Sequence, residues 1–210
     1  MLLEYEKNVS SNLVITWKFN PPSAPNFGGL WEAGVKAVKS QLIRVVGDQA
    51  LTYEEYYTLL VQIEAILNSR PLTPTSSDPN DLSALTPGHF LVLEPLSTPP
   101  DEDTTQLKIN RLSRWQLIQR CQRDFWRRYS SEYLHTLQQR AKWYQKEKGP
   151  DINSVVLIKH DNLPPLQWRL GRVVELHPGA DGVIRVATVK TESGILRRPI
   201  SKLCPLPLES

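Results

Sequence analysis

Between Arg111 and Lys148 the chain has neither proline nor glycine, although it carries 17 prolines and 10 glycines elsewhere. Those are the residues that most readily interrupt a helix. Trp115, Ile118, Phe125, Tyr129, Leu137 and Tyr144 recur through this stretch at helical spacing. It therefore reads as one long helix or two in tandem, ended by Gly149-Pro150. Everything else in the chain must be arranged on either side of that rod.

The prolines cluster at 21–25, 71–79, 95–100 and 199–207, so they punctuate the chain and do not form one disordered tract. Upstream, "LVITWKF" (Leu13 to Phe19) reads as a buried strand stopped by Asn20-Pro21-Pro22. A loop through Gly28-Gly29 follows. From Leu30 the period becomes helical, with Trp31, Val35, Val38, Leu42 and Val45 on one face and Gly47-Asp48 as the stop. "TYEE" (Thr52–Glu55) is a capping box before the stripe Tyr56, Leu59, Leu60, Ile63, Ile66 and Leu67. "SRPLTPTSSDPNDLSAL" reads as an irregular connection, and "TPGHFLVL" as a short helix capped by Thr86 with Pro87 at its first position.

Residues 94–110 have linker composition: prolines, acids and threonines. Downstream of Pro150 the period changes to two. "SVVLIKH", "RLGRVVELHP", "VIRVATVKT" and "GILRRPI" read as strands joined by turns, which predicts a small closed barrel. The expected organisation is 1–93, a linker at 94–110, a helical segment at 111–150 and a barrel at 151–210.

Composition narrows the chemistry. Two cysteines, Cys121 and Cys204, exclude a disulfide framework, and four histidines stand without zinc-ligand spacing. No apolar run is long enough for a membrane span, and the N-terminus lacks the layout of a signal peptide. A nuclear or cytoplasmic location is expected, with no membrane partner and no small-molecule substrate. Net charge is only +3, but residues 111–148 hold ten basic and three acidic residues, interleaved with Trp115, Trp126, Tyr129 and Trp143. That mixture suits a phosphate backbone and equally suits a solvated helix whose aromatics pack inward. Arg120, Arg123 and Arg127 are the candidates there. Alternation along the later strands points Arg172, Arg185 and Lys190 outward, and Arg197 joins them as a nucleic-acid candidate. Trp168 is expected to close the barrel core, and Cys121 to be a structural thiol.

Glu32 lies in the first turn of a helix, where the macrodipole alone accounts for a carboxylate. Yet Lys36 and Lys39 share its face. One carboxylate with two lysines, one and two turns on, suits Mg²⁺ beside a phosphate backbone. Two-metal phosphoryl chemistry needs several acidic ligands, and no aspartate occurs before Asp48.

The string "WKFNPPSAPNFGGLWEAGVKAVK" closely resembles the last active-site segment of integrases from BEL/Pao-type LTR retrotransposons. More distantly it is similar to retroviral integrases. Asn26 departs from it, standing where the motif usually has His. "QIEAILNSRPL" and "LTPGHFL" resemble segments from the end of the same catalytic core, and the chain from Arg111 onward resembles the C-terminal domain appended to these integrases.

The resemblance implies an α+β fold: the truncated end of an RNase H-like α/β core, a long basic helical segment, then a small SH3-like β-barrel. It implies that Glu32 is the glutamate of an Asp-Asp-Glu triad, both catalytic residue and ligand of Mg²⁺ or Mn²⁺, and that Lys36 and Lys39 contact DNA ends. It implies DNA and other integrase protomers as partners. The expectation is a back portion of a polyprotein's integrase, lacking the zinc-binding N-terminal domain and the strands with both aspartates. Such a chain binds DNA in integration but is catalytically incomplete alone, holds no metal tightly and leaves its apolar helix faces under-buried. The alternatives are a host-retained protein-interaction module using the barrel, and a non-functional relic.

Overall fold

The computed structural model describes residues 21, 29–76, 78–97, 112–138, 150–160 and 162–207, and the side chains of Leu30, Trp31 and Ala33 are outside that set. The strand expected at 13–19, most of the linker and the helical segment beyond Gln138 also lie outside it. Two compact units result, 1–40 and 41–210, the division falling inside the first helix.

That helix, α1, is Gly29–Val46. It ends where Gly47 adopts φ +56°, a left-handed conformation glycine accepts freely, and the Gly47 amide bonds the Ile43 carbonyl at 3.0 Å. Of the expected apolar stripe Leu42 is buried and Val38 and Val45 are half-buried, but Val35 is 51% exposed. Helix α2, Tyr53–Asn68, starts at the expected capping box. The Glu55 carboxylate accepts from the Thr52 amide at 2.8 Å, and the Glu55 amide bonds the Thr52 hydroxyl. Leu59, Ile63 and Ile66 are buried, whereas Tyr53, Tyr57 and Val61 on the other side remain exposed.

The connection expected to be irregular contains a two-residue antiparallel pair, β1 (Thr73–Pro74) with β2 (Ala84–Leu85). The next helix is shorter than expected. It is a single turn, α3, His89–Val92, capped by Gly88; the Thr86 hydroxyl instead pairs with the His89 ring at 2.8 Å.

Helix α4 spans Arg114–Leu137. Its start is a second capping box, Ser113 with Gln116. Its buried face, Leu117, Ile118, Cys121, Phe125, Trp126 and Leu134, follows the three–four spacing.

The last third forms five antiparallel strands: β3 (Val155–Ile158), β4 (Leu170–Pro178), β5 (Ile184–Thr191), β6 (Gly194–Pro199) and β7 (Leu203–Pro205). Their order is β6-β5-β4-β3-β7, and a 3₁₀ turn, Ile200–Lys202, joins the two outer strands. This is an open sheet, which corrects the closed barrel expected from strand spacing. Register shifts between Val173 and Glu175 and between His177 and Pro178 bend the sheet. Closure would need β6 and β7 to pair, but β7 has three residues, and Pro199 and Pro205 have no amide to donate.

Both sheet faces are apolar over β3, whose four residues are all buried. Val155 and Leu157 join Cys204, Leu206 and Leu134 in one cluster, with Tyr133 and Trp168 against it; Val156 and Ile158 join Val173, Ala187, Val189 and Leu203 in the other. Gly171 has no room for a side chain, because a Cβ there would stand 2.4 Å from the Val189 side chain. No helix of the described residues is long and apolar enough to cross a membrane.

Candidate nucleic-acid interface

The candidate residues fall on three elements. On α1, Glu32, Lys36 and Lys39 are all exposed. Their spacing of four and three places them on one helix face. The first turn suits Glu32 because the unpaired amides of the helix start favour an anion. Among the described residues no group of three or more His, Cys, Asp or Glu side chains comes together. Glu32 is thus a single solvent-facing carboxylate, and the described residues do not by themselves supply the donor set Mg²⁺ requires.

On α4 the charges are partly spent within the helix. Asp124 accepts from Arg120 Nε at 3.1 Å and from Arg127 Nη2 at 2.9 Å. Arg120 and Arg123 are half-buried, whereas Arg127 and Arg128 face solvent. Trp115 is 57% exposed, whereas the later described aromatics of this segment point inward. Phe125, Tyr129 and Tyr133 form a stacked series with ring centroids 6.0 and 6.2 Å apart. Trp168 meets Tyr133 and Trp126 edge-on, at 5.5 and 4.7 Å, and its Nε1 donates to Ser69 Oγ at 3.1 Å. Trp126 Nε1 donates to the Leu163 carbonyl. Trp168 therefore joins the sheet to α4 and the end of α2. Burial pushes the Tyr133 phenol up to about 12, and its hydroxyl bonds the Pro71 carbonyl.

On the sheet the four basic candidates separate. Arg172 does not point outward, which corrects the alternation reading. It is buried, and its guanidinium donates to the carbonyls of Asn153, Asp78 and Asp81, each at 2.8 Å. The loop before β2 lies over this part of β4, so a position that alternation assigns to solvent is covered by distant chain. Arg185 is exposed but bidentate to Asp181, at 2.8 and 2.5 Å, and its hydrogen bonds hold that carboxyl down to about 2. Lys190 is exposed, with Nζ 2.8 Å from Asn80 Oδ1. Arg197 is exposed on the edge strand β6.

Cys121 is buried, and desolvation, with Asp124 nearby, pushes its thiol up to about 11. It is a structural thiol. Sequence reasoning missed Arg114. Its guanidinium takes both oxygens of Glu55 and the Ala50 carbonyl, fastening the start of α4 to the start of α2. The Ser113-x-x-Gln116 pattern could have located the helix start, but nothing in the sequence pairs residue 114 with residue 55.

The described fold and site define a mixed α and β protein with a long helix on a curled, open antiparallel sheet and exposed basic side chains on each part. Residues 113–206 match a family model described as "Family of unknown function (DUF5641)". The match covers α4 and all five strands, and stops short of α1 and α2. No curated protein matches the chain.

Proposed function

We propose that this chain is a DNA-binding part of a retrotransposon integrase of the BEL/Pao type, acting inside the cell on DNA ends. The observation that carries the reading is the exposed face of α1, where Glu32, Lys36 and Lys39 stand free of the core. The string that resembles the active-site segment of those integrases includes all three residues of that face. Lys36 and Lys39 meet phosphates, and Glu32 is the carboxylate that in the complete enzyme joins two aspartates around Mg²⁺ or Mn²⁺.

On this reading residues 1–93 are the end of an RNase H-like core. The five-stranded sheet, in which β7 returns past the 3₁₀ turn to pair with β3, is an SH3-like half-barrel. Within residues 41–210, Arg127, Lys190 and Arg197 are further exposed cations for a phosphate backbone, and Arg120, Arg123 and Arg185 contribute through charges partly met by neighbours. Arg172 is reassigned to the core.

The test is a salt titration of binding to duplex DNA, read by fluorescence anisotropy. Six phosphate contacts predict a loss of about a thousandfold in affinity between roughly 50 and 200 mM salt. Lys36→Glu with Lys39→Glu should lower the log–log salt slope by about two. Salt-independent binding, or a slope the double variant leaves unchanged, refutes the reading. The purified chain should also give no Mg²⁺-dependent strand joining.

A further inference from the structure

Among the described residues strand β6 lies at one edge of the sheet and pairs only with β5. Its hydrogen-bond phase follows from one residue. Pro199 has no amide, so the pair Val186–Pro199 must be a non-bonded pair of the antiparallel ladder. Bonded and non-bonded pairs alternate, which makes Arg198 with Ala187, Leu196 with Val189 and Gly194 with Thr191 the bonded ones. The main-chain groups of Ile195 and Arg197 therefore point away from β5, off the edge of the sheet. The Arg197 carbonyl accepts from the Arg198 guanidinium at 2.9 Å; neither Ile195 nor the Arg197 amide has a partner among the described residues. The Ile195 side chain is 69% exposed, and Arg197 is exposed two positions on, on the same face.

We infer that β6 is a docking edge for an extended acidic peptide segment of a partner protein, which adds to the sheet as a sixth antiparallel or parallel strand. Two residues supply outward main-chain groups, and their side chains impose a pattern. An apolar residue of the incoming strand lies beside Ile195 and a carboxylate beside Arg197. Charge selects the occupant. A second copy of β6 paired antiparallel through the same two residues would set Ile195 of one copy beside Arg197 of the other, which leaves each arginine without a carboxylate. An acidic strand relieves the same charge. This inference uses the main chain of the edge and not the face of α1; it shares the Arg197 side chain with the DNA reading, and Ile195→Pro separates the two.

The experiment uses the full chain and a capped ten-residue peptide whose every second residue is valine and glutamate in turn, with threonine between them, followed by amide hydrogen exchange and by titration. Binding is expected to slow exchange of the Ile195 and Arg197 amides. A peptide of equal charge with proline at alternate positions should bind at least about tenfold more weakly, because it cannot donate to a ladder. Ile195→Pro removes an outward amide without touching the bonds to β5, and should cost about tenfold in affinity while the thermal midpoint and DNA binding persist. Arg197→Glu should weaken the glutamate peptide and favour a valine–lysine one. Equal affinity for the proline peptide, protection elsewhere than at 195 and 197, or no binding overturns the inference.

Discussion

Arg172 shows how a single side chain can be charged, buried and still favourable. Its guanidinium meets three carbonyls from two loops, so part of the cost of leaving water is offset by charge-assisted hydrogen bonds, while its buried Nε has no partner among the described residues. Arg172→Ala leaves those carbonyls without their donor, and should destabilise the protein by about 2–4 kcal/mol in denaturant titration. Loss of an outward-facing arginine such as Arg197 should stay within about 0.5 kcal/mol in the same titration. The two thiols follow the same logic of burial. Desolvation pushes Cys121 and Cys204 each up to about 11, so neither forms much thiolate near neutral pH. Both should resist alkylation in the native protein and react once denaturant is added; rapid native labelling would contradict the buried geometry. Trp168 packs on α4 and the end of α2 and not in the barrel core expected for it, whereas the burial of Cys121 was legible in the sequence, because it lies within the three–four apolar spacing of α4. The burial of Arg172 was not. Alternation along a strand reports two faces, but says nothing of which loop covers one of them.

At the scale of elements, the starts of α2 and α4 are held together by one shared carboxylate. Glu55 closes its own capping box on Thr52 and also receives Arg114. Thr52→Ala should lower stability by about 1 kcal/mol, measured by urea denaturation. The Arg114 hydrogen bond, followed by the Thr52 amide, holds the Glu55 carboxyl below its usual range. A depressed folded pKa contributes stability above the unfolded value, and that contribution is lost as pH falls through the folded one. Thermal midpoints of the native chain should therefore decline on acidification below about pH 4.3 more steeply than those of Glu55→Gln. The capping boxes were legible because they are local: four residues contain both donors and both acceptors. The Arg114–Glu55 pair spans 59 residues, and no local rule reaches that far. Residues 86–89 show a local signal losing to its surroundings. The Thr86-Pro87 pair has the residue types of a helix start, yet Thr86 is buried and its hydroxyl turns to His89, so the helix begins later.

For the molecule as a whole, the matched stretch 113–206 is tied into what precedes it. Arg114 binds Glu55, Tyr133 bonds Pro71, Trp168 bonds Ser69, and Arg172 and Lys190 hold the loop at 78–81. An excised fragment 112–207 should melt lower and less cooperatively than the full chain, because Trp168, Tyr133 and Arg172 would lose their partners; equal cooperativity by calorimetry would show that the stretch is self-sufficient. The amino-acid sequence by itself determined the elements whose signals are local. These include the start of the long helix at Ser113, although that helix ends at Leu137 and not at Gly149-Pro150, the capped helix at Thr52, the glycine stop at Gly47 and the run of short strands after Pro150. It also determined that Glu32, Lys36 and Lys39 share one face, since helical spacing alone sets that. Tertiary structure alone decided that the sheet stays open, that Arg172 is internal while Arg197 is not, and that Ile195 stands on a free edge. These depend on which strand ends beside which proline and which distant loop lies over which strand. Such contacts join residues tens of positions apart, beyond the reach of any local pattern.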